Sequence, residues 1–558
     1  MNRATRNGSS PGGRHDWAAP AIVFLVGAAL LFWGLGRPYL WQDEAATAVL
    51  SERMMRFGKP LGYDGRNLIT MDFSSPSDVA AMPVLAGEPR AAVAYFVERG
   101  DFREDTTWIG QPWGQFVATG LSFTLFGKGT IAARAPFALA SLLTIGFLYL
   151  LVDRVFRDRL MAAVAACLLL ANPYWVLHGR QCRYYALSGL FELLTVGAFV
   201  RWQRGGRFGG ALVALSAWCW FQCDFGTFWP GTGVVLLLGA TMRPGFRGAA
   251  AVGAAIAAAV APFAVFYRLF GRIKVPWEGW MDRFCGLLLN TNQFVVPLVI
   301  LCGVTAALVW KRRSLEPHAM GLLTASVAIV ALTVPWSATV GPSHYHRYLV
   351  EATPLACLFS AWGFATGAAW LARKTERQWV RPVATVALAA FVALSPVASN
   401  LVTWAIPTDR AELHPLGTWI RPELGLALGD IFGGRPDPNR EAIELVEARA
   451  HPGDEILVAY EDVPFVFYTD YLIRGGIPAF RVRDPSAPPP RFFVARPGVP
   501  FGQSPVFLEE VERYRWDVIP TQTPALYWGN NPDPVAQSFW LYDDLPRIVV
   551  GERVADGP

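Results

Sequence analysis

Apolar runs long enough to cross hydrocarbon recur through the first 404 residues of this 558-residue chain. They fall at 20–36, 112–126, 131–152, 159–177, 184–200, 208–222, 226–242, 248–268, 291–310, 317–336, 347–371 and 382–404. A bilayer core about 30 Å thick takes about 20 residues of helix, and in lipid the backbone must satisfy its own hydrogen bonds. Composition agrees. With 53% hydrophobic and 13% aromatic residues against 17% charged, too few charges remain to solvate a globular surface. The fold class is therefore an α-helical integral membrane protein. Net charge is +5, from 49 basic and 44 acidic residues, and no basic tract of the kind that nucleic acid requires is present.

Charge asymmetry decides the threading. Arg3, Arg6 and Arg14 precede the run at 20–36, which reads as a first span with its basic end in the cytoplasm rather than as a cleaved signal. If every run crossed, Arg154, Arg157 and Arg159 and the group Arg201, Arg204 and Arg207 would lie outside. Reading 112–126 instead as an interfacial segment, short and interrupted by Gly114 and Gly120, repairs the pattern. The basic clusters at 154–159, 201–207, 243–247, 311–313 and 373–381 then all face the cytoplasm. About eleven transmembrane helices remain on this rule. The expected organisation is a cytoplasmic N-terminus at 1–19, a transmembrane domain at 20–404 and an external C-terminal domain at 405–558. A long external loop, 37–130, follows the first span.

The C-terminal region reads as a small α/β unit. Asp437 and Pro438 mark a helix start at 438–450, as N-cap and first helical residue. Strands are expected at Glu455–Tyr460, Phe465–Tyr468, Arg491–Ala495 and Arg547–Val550, between Pro- and Gly-rich turns. No tandem repeat of fixed period occurs. The seven cysteines (Cys167, Cys182, Cys219, Cys223, Cys285, Cys302 and Cys357) include no CxxC pair, which argues for buried thiols rather than a sulfur-based metal or redox site.

Candidate chemistry gathers on the external side. Asp43 and Glu44 follow the first span; such a pair suits a general base with its partner, or metal ligands, and equally the acidic first turn of a helix. Arg134, Arg180, Arg183 and Arg347 lie on the face where basic residues are normally depleted. A guanidinium fork matches phosphate oxygens, though headgroup contact explains a lone arginine as well. Asp224 stands in a short external turn, where an acid close to the bilayer is either functional or a turn cap. His344 and His346 suit an interface more than a metal. The acids leave room for a divalent metal ion without requiring one.

These residues together resemble the GT-C superfamily of membrane glycosyltransferases, in the branch of the protein O-mannosyltransferases and the lipid A aminoarabinose transferase. The resemblance rests on Asp43-Glu44 after span one, the long first loop with Gln111-Pro-Trp, and Phe126-Gly-Lys-Gly-Thr-Ile-Ala-Ala-Arg134-Ala-Pro. It continues through Arg180-Gln-Cys-Arg-Tyr-Tyr-Ala-Leu and Arg347-Tyr-Leu-Val-Glu-Ala-Thr-Pro, and so covers most of 20–400. Two positions depart from the pattern. Gly110-Gln111 replace the basic residue before the family's Pro-Pro element, and Asp224 stands where a histidine is frequent.

What the resemblance implies is a GT-C-like fold and sugar transfer from a polyprenyl-phosphate-linked donor to a periplasmic lipid, glycan or protein, at the inner membrane. Asp43 would be the base, Glu44 its orienting partner, and Arg134, Arg180, Arg183 and Arg347 the donor-phosphate set. Tyr184, Gln111, Asp224 and His346 are further site candidates. Inversion at the anomeric carbon is the family expectation. Two rivals remain open: a transporter or flippase for an anionic lipid or lipid-linked sugar, and a non-catalytic envelope assembly protein. Transporters place polar groups at the midplane of repeated halves, whereas here they concentrate at one surface.

Overall fold

The computed structural model describes residues 18–69, 96–98, 100–272, 277–341, 345–403, 405–406, 419–475, 488–498, 505–525 and 546–554. Among these, four helices are long and apolar enough to cross a membrane: Thr130–Phe156, Phe246–Phe266, Pro317–Val340 and Val350–Thr375. Three helix pairs pass the same test but bend, by 68° between Arg159–Leu170 and Pro173–Gly179, 82° between Trp280–Val295 and Leu298–Lys311, and 62° between Val380–Leu394 and Val397–Thr403. Length and composition thus give up to seven spans, against about eleven expected. The apolar helices Ala18–Phe32, Gly209–Phe221 and Phe225–Thr241 have 15, 13 and 17 residues, fewer than a straight crossing takes.

The runs 159–177, 291–310 and 382–404 were expected to be continuous, and each is broken at a proline: Pro173, Pro297 and Pro396. Proline has no N–H to give the ladder and disfavours helix in the residue before it. Side chains take up the freed backbone groups. The Asn172 carboxamide accepts from Trp175 N–H at 2.9 Å, and Asn292 Oδ1 accepts from Leu298 N–H at 2.9 Å. Helices Thr130–Phe156, Arg159–Leu170, Tyr185–Gln203, Pro317–Val340 and Thr353–Thr375 contribute to one continuous apolar core.

Gly114–Phe126, in the segment set aside from crossing, is a helix of 13 residues, about 20 Å long at 1.5 Å per residue. Gln115, Phe116, Thr119, Gly120 and Ser122 are buried, while Val117, Leu121, Leu125 and Phe126 are exposed. Its buried side packs on the helix Gln42–Phe57. Gly114 allows a backbone crossing: its N–H donates to Gln222 O at 2.7 Å, and a Cβ there would lie 2.4 Å from that oxygen. After Gln42–Phe57 the loop is gathered by Arg53. Its guanidinium, 3% exposed, donates to the carbonyls of Leu61, Gly62 and Asn67 and pairs with Asp64 at 2.8 Å.

The C-terminal unit is a five-stranded mixed sheet, β1 Glu455–Val458, β2 Leu472–Gly475, β3 Phe492–Ala495, β4 Trp516–Ile519 and β5 Val549–Arg553, in the order β2-β1-β3-β5-β4. β1 runs parallel to β2 and β3, and β5 runs antiparallel to β3 and β4. The helix Pro438–Glu447 forms as expected, with Asp437 accepting from Arg440 N–H at 3.0 Å. Phe465–Tyr468 is not a strand; it belongs to the helix Asp462–Tyr468. Asp462-Val-Pro464 is a helix-starting sequence, because proline tolerates the first turn where its missing N–H has no partner to lose. β2 and β4 were not anticipated. Val463 and Phe467 of the short helix join Leu40, Val49, Phe116 and Phe137 in one apolar cluster, which seats the unit on the first loop.

Gly114 supplies a stability test. Gly114→Ala should destabilise by about 1–3 kcal/mol, since a methyl against backbone must displace one of the two chains. Gly129→Ala, where nothing lies within 4 Å of a new Cβ, should be near neutral. Thermal unfolding of the two purified variants measures the difference.

Candidate active site

The two adjacent acids open the helix Gln42–Phe57 and turn to different partners. Glu44, fully buried, receives Arg134 in a two-pronged contact: Nε on Oε1 at 2.8 Å and Nη2 on Oε2 at 2.6 Å. Oε1 also accepts Cys182 N–H at 2.7 Å. The other donors of Arg134 go to carbonyls, Nη1 to Leu35 at 3.1 Å and Pro38 at 2.7 Å, and Nη2 to Tyr39 at 3.4 Å. Arg134, expected on a donor phosphate, is thus committed to framing the loop.

Asp43 is 1% exposed, and its Oδ2 meets Arg347 Nη1 at 3.1 Å and Arg183 Nη2 at 3.5 Å. Its Oδ1 is buried without a hydrogen-bond partner. Arg183 Nη1 reaches Asp43 O and Thr47 Oγ1, both at 3.4 Å. Tyrosines flank the cations. Arg183 lies 5.3 Å from the Tyr184 ring centroid, and Arg347 lies 4.5 Å from Tyr345 and 5.7 Å from Tyr348. Gln111 joins through a chain, since Gln115 Nε2 donates to Gln111 Oε1 at 3.1 Å while Thr47 Oγ1 donates to Gln115 Oε1 at 3.3 Å.

The four arginines expected in one set therefore divide. Arg183 and Arg347 meet on Asp43, Arg134 serves Glu44, and Arg180 donates to the carbonyls of Leu30 and Trp33 at the end of the first helix. Asp224 caps Phe225–Thr241, its Oδ2 accepting Thr227 N–H at 2.8 Å and Thr227 Oγ1–H at 2.9 Å. Burial pushes its carboxyl up despite those bonds. His346 packs its ring among Tyr174, Phe294 and His178, with both nitrogens buried and without partners; burial and His178 hold its pKa well below the usual imidazole range. Among the described residues no group of three or more His, Cys, Asp or Glu is placed to hold a metal ion. Glu351, bonded by Ser188 Oγ at 2.5 Å and by Thr227 Oγ1, and the buried Glu192 were missed. Glu351 was within reach, four residues after Arg347 in a quoted motif.

The C-terminal unit supplies residues that sequence reasoning did not assign to the site. Tyr39 stacks on Tyr468 with centroids 3.9 Å apart; Tyr39 N–H donates to Asp437 Oδ2 at 2.6 Å and Leu40 N–H to Tyr468 Oη at 3.0 Å. Asn439 Nδ2 donates to Leu40 O at 3.1 Å and to Glu461 Oε2 at 2.9 Å. The Gln42 amide spans Asp462 Oδ1 (2.7 Å) and Val463 N–H (3.3 Å). The Glu461 carboxylate accepts Gln42 N–H and so caps the acidic-pair helix from another part of the chain. It does so from a left-handed backbone, φ +63°, a strained conformation for glutamate.

Burial pushes the Glu461 carboxyl up to about 7; Arg496, Asn439 and Gln42 N–H oppose the shift, and Asp43 adds to it. Burial likewise pushes Asp462 up to about 6, against its bonds from Gln42 and nearby N–H groups. A carboxyl that holds its proton more tightly in the folded than the unfolded chain stabilises the fold fully below its unfolded value, near 4. That contribution is lost as pH rises through the folded values of about 6 and about 7. The unfolding temperature should therefore fall between about pH 5 and about pH 8. The double variant Glu461→Gln, Asp462→Asn should flatten that fall; an undiminished slope would place its origin elsewhere.

The family model described as dolichyl-phosphate-mannose-protein mannosyltransferase matches residues 111–220, which include Gln111, Arg134, Arg180, Arg183 and Tyr184. No curated protein matches the chain in sequence. In fold the chain is similar to ArnT from Cupriavidus metallidurans bound to undecaprenyl phosphate, with TM-score 0.52, 15% identity, and 97% of this chain and 98% of that one covered. It is similar also to ArnT from the same organism in the apo state, with TM-score 0.55, 16% identity and the same coverage. The chain thus shares its fold with ArnT along nearly its whole length, and its segment 111–220 matches the dolichyl-phosphate-mannose-protein mannosyltransferase model.

Proposed function

We propose that the protein transfers a sugar from a polyprenyl-phosphate-linked donor to an acceptor hydroxyl, with Asp43 as general base. One observation carries the reading: a buried carboxylate with one oxygen held by two arginines and the other without a partner. Oδ1 takes the acceptor's proton as the acceptor oxygen bonds to the anomeric carbon. The bond from that carbon to the phosphate oxygen breaks, and its electron pair leaves with the phosphate. Arg183 and Arg347, already beside Asp43, neutralise the charge that develops there. Their planar forks suit a phosphate, and the flanking tyrosines limit water around them. The undecaprenyl phosphate in one ArnT structure supports a polyprenyl carrier. Backside attack by a base-activated hydroxyl gives inversion.

Arg134 and Glu44 act on this chemistry only by holding Asp43 in place. Asp43→Asn should cost on the order of 10²–10⁴-fold in transfer rate per folded molecule, although it also leaves Arg183 and Arg347 without their buried counter-ion and so lowers stability. Glu44→Gln should instead lower the unfolding temperature, because Arg134 is left as a buried charge without its counter-ion, a loss of about 3–5 kcal/mol. Transfer is measured in membranes at matched expression, and unfolding on the purified variants. Near wild-type turnover by Asp43→Asn would reduce the acid to a helix-start residue and overturn this mechanism, whereas absence of transfer by the wild-type protein would return the transporter reading.

The site is assigned to the periplasmic face of the inner membrane, on the sorting of basic clusters to the other side. Cysteine labelling in intact cells should reach position 59 and the domain from 405, and should reach position 204 only after permeabilisation. A cytoplasmic C-terminal domain would contradict both the orientation and the donor side.

A further inference from the structure

Beyond Phe32, at the end of the first apolar helix, Arg37, Arg134, Arg180, Gln181, Asp430 and Arg435 line a cleft. Its walls come from four separate parts of the chain: the residues after Ala18–Phe32, the start of Thr130–Phe156, the residues after Pro173–Gly179, and the end of Pro422–Gly433. Among the described residues, the carboxylates paired with its four guanidiniums are two, Glu44 on Arg134 and Asp430 on Arg435. Among the described residues this leaves Arg37 and Arg180 as two positive charges without a paired carboxylate.

Arg180 is the clearest surplus charge. It is 9% exposed and donates to the backbone carbonyls of Leu30 and Trp33. Burial, then the neighbouring Arg134 and Arg435, pull its pKa down to about 10. A guanidinium buried beside like charges is costly unless an anion completes the set. The surroundings say what kind of anion. Phe32, Trp33 and Phe432 are 39%, 58% and 53% exposed near the cleft, and the rings of Trp33 and Phe432 lie 5.9 Å apart. Exposed aromatics beside cations at the end of an apolar helix mark the headgroup level of a bilayer.

We propose that this cleft is a second lipid-phosphate site, which takes the phosphate monoester headgroup of a membrane lipid. A monoester carries about −1.5 to −2 charges at neutral pH, which matches the surplus, and its oxygens fit planar arginine forks. The site is distinct from Asp43, whose cations are Arg183 and Arg347. It does not rest on the donor phosphate lying there, and it gives Arg37 and Arg180, which neither Asp43 nor Glu44 uses, a task of their own.

Native mass spectrometry of the full chain in phosphatidylcholine nanodiscs, doped with undecaprenyl phosphate or with dioleoyl phosphatidic acid, tests this. Arg180→Gln should weaken phosphatidic acid binding about tenfold, a loss of one charge-assisted contact. Should that variant fold poorly, Arg37→Glu changes an exposed residue and two units of charge, and should weaken binding at least as much. Arg347→Gln should leave phosphatidic acid binding unchanged. Equal affinity for both lipids means that the cleft reads the headgroup; preference for undecaprenyl phosphate means that it reads the carrier, and either result supports the site. Unaltered binding in both Arg180→Gln and Arg37→Glu, or its loss in Arg347→Gln alone, would overturn it. Loss of transfer in Asp43→Asn with normal phosphatidic acid binding would keep the two proposals apart.

Discussion

The two-pronged ion pair between Glu44 and Arg134 holds the region around Asp43 together. Both side chains are buried, at 0% and 4% exposure, and such a pair is worthwhile only when every remaining donor finds an acceptor. Here the carbonyls of Leu35, Pro38 and Tyr39 take up Arg134, while Cys182 N–H fills the second position on Glu44 Oε1. One contact therefore joins the end of the first helix, the acidic-pair helix, the helix Thr130–Phe156 and the turn that carries Arg183. Asp43, one residue earlier on the same helix, then has its direction set by its neighbour.

That arrangement separates two jobs that adjacent acids could otherwise share. Glu44 is saturated and serves the structure, whereas Asp43 keeps one oxygen without a partner and faces two cations. The helix that carries both is finished from outside. Glu461 caps its first N–H, Asp462 holds the Gln42 side chain, and Tyr39 stacks on Tyr468. The C-terminal unit, more than 400 residues away in sequence from Gln42, is thus part of what positions the site.

The sequence made the membrane class, the acidic pair and the arginines that gather around it legible, because each breaks a compositional rule that lipid or charge imposes. It also set 112–126 apart from the other apolar runs, where the structure has a 13-residue helix, the same length as Gly209–Phe221. What it hid was pairing. Nothing in Arg134 or Arg180 distinguishes a guanidinium that meets backbone carbonyls from one that meets an anion, so four arginines read as one set. The prolines at 173, 297 and 396 were visible, but hydropathy averages over them and returns unbroken spans. In the C-terminal unit, Phe465–Tyr468 looked like strand because aromatic and branched residues favour strands, and the helix-starting Asp462-Val-Pro464 outweighed that preference. Glu461 carried no signal, since its role depends on a fold that brings it to Gln42.

The central claim is that Asp43 with Arg183 and Arg347 is where the phosphate-linked sugar reacts, and that Glu44 with Arg134 is its frame. A cryo-EM structure of the full chain with undecaprenyl phosphate tests it most directly. The account predicts a phosphate within hydrogen-bond distance of Arg183 and Arg347 beside Asp43, with Arg134 still on Glu44. A structure in which both arginines remain on Asp43 with no phosphate against them, at saturating lipid, would contradict it.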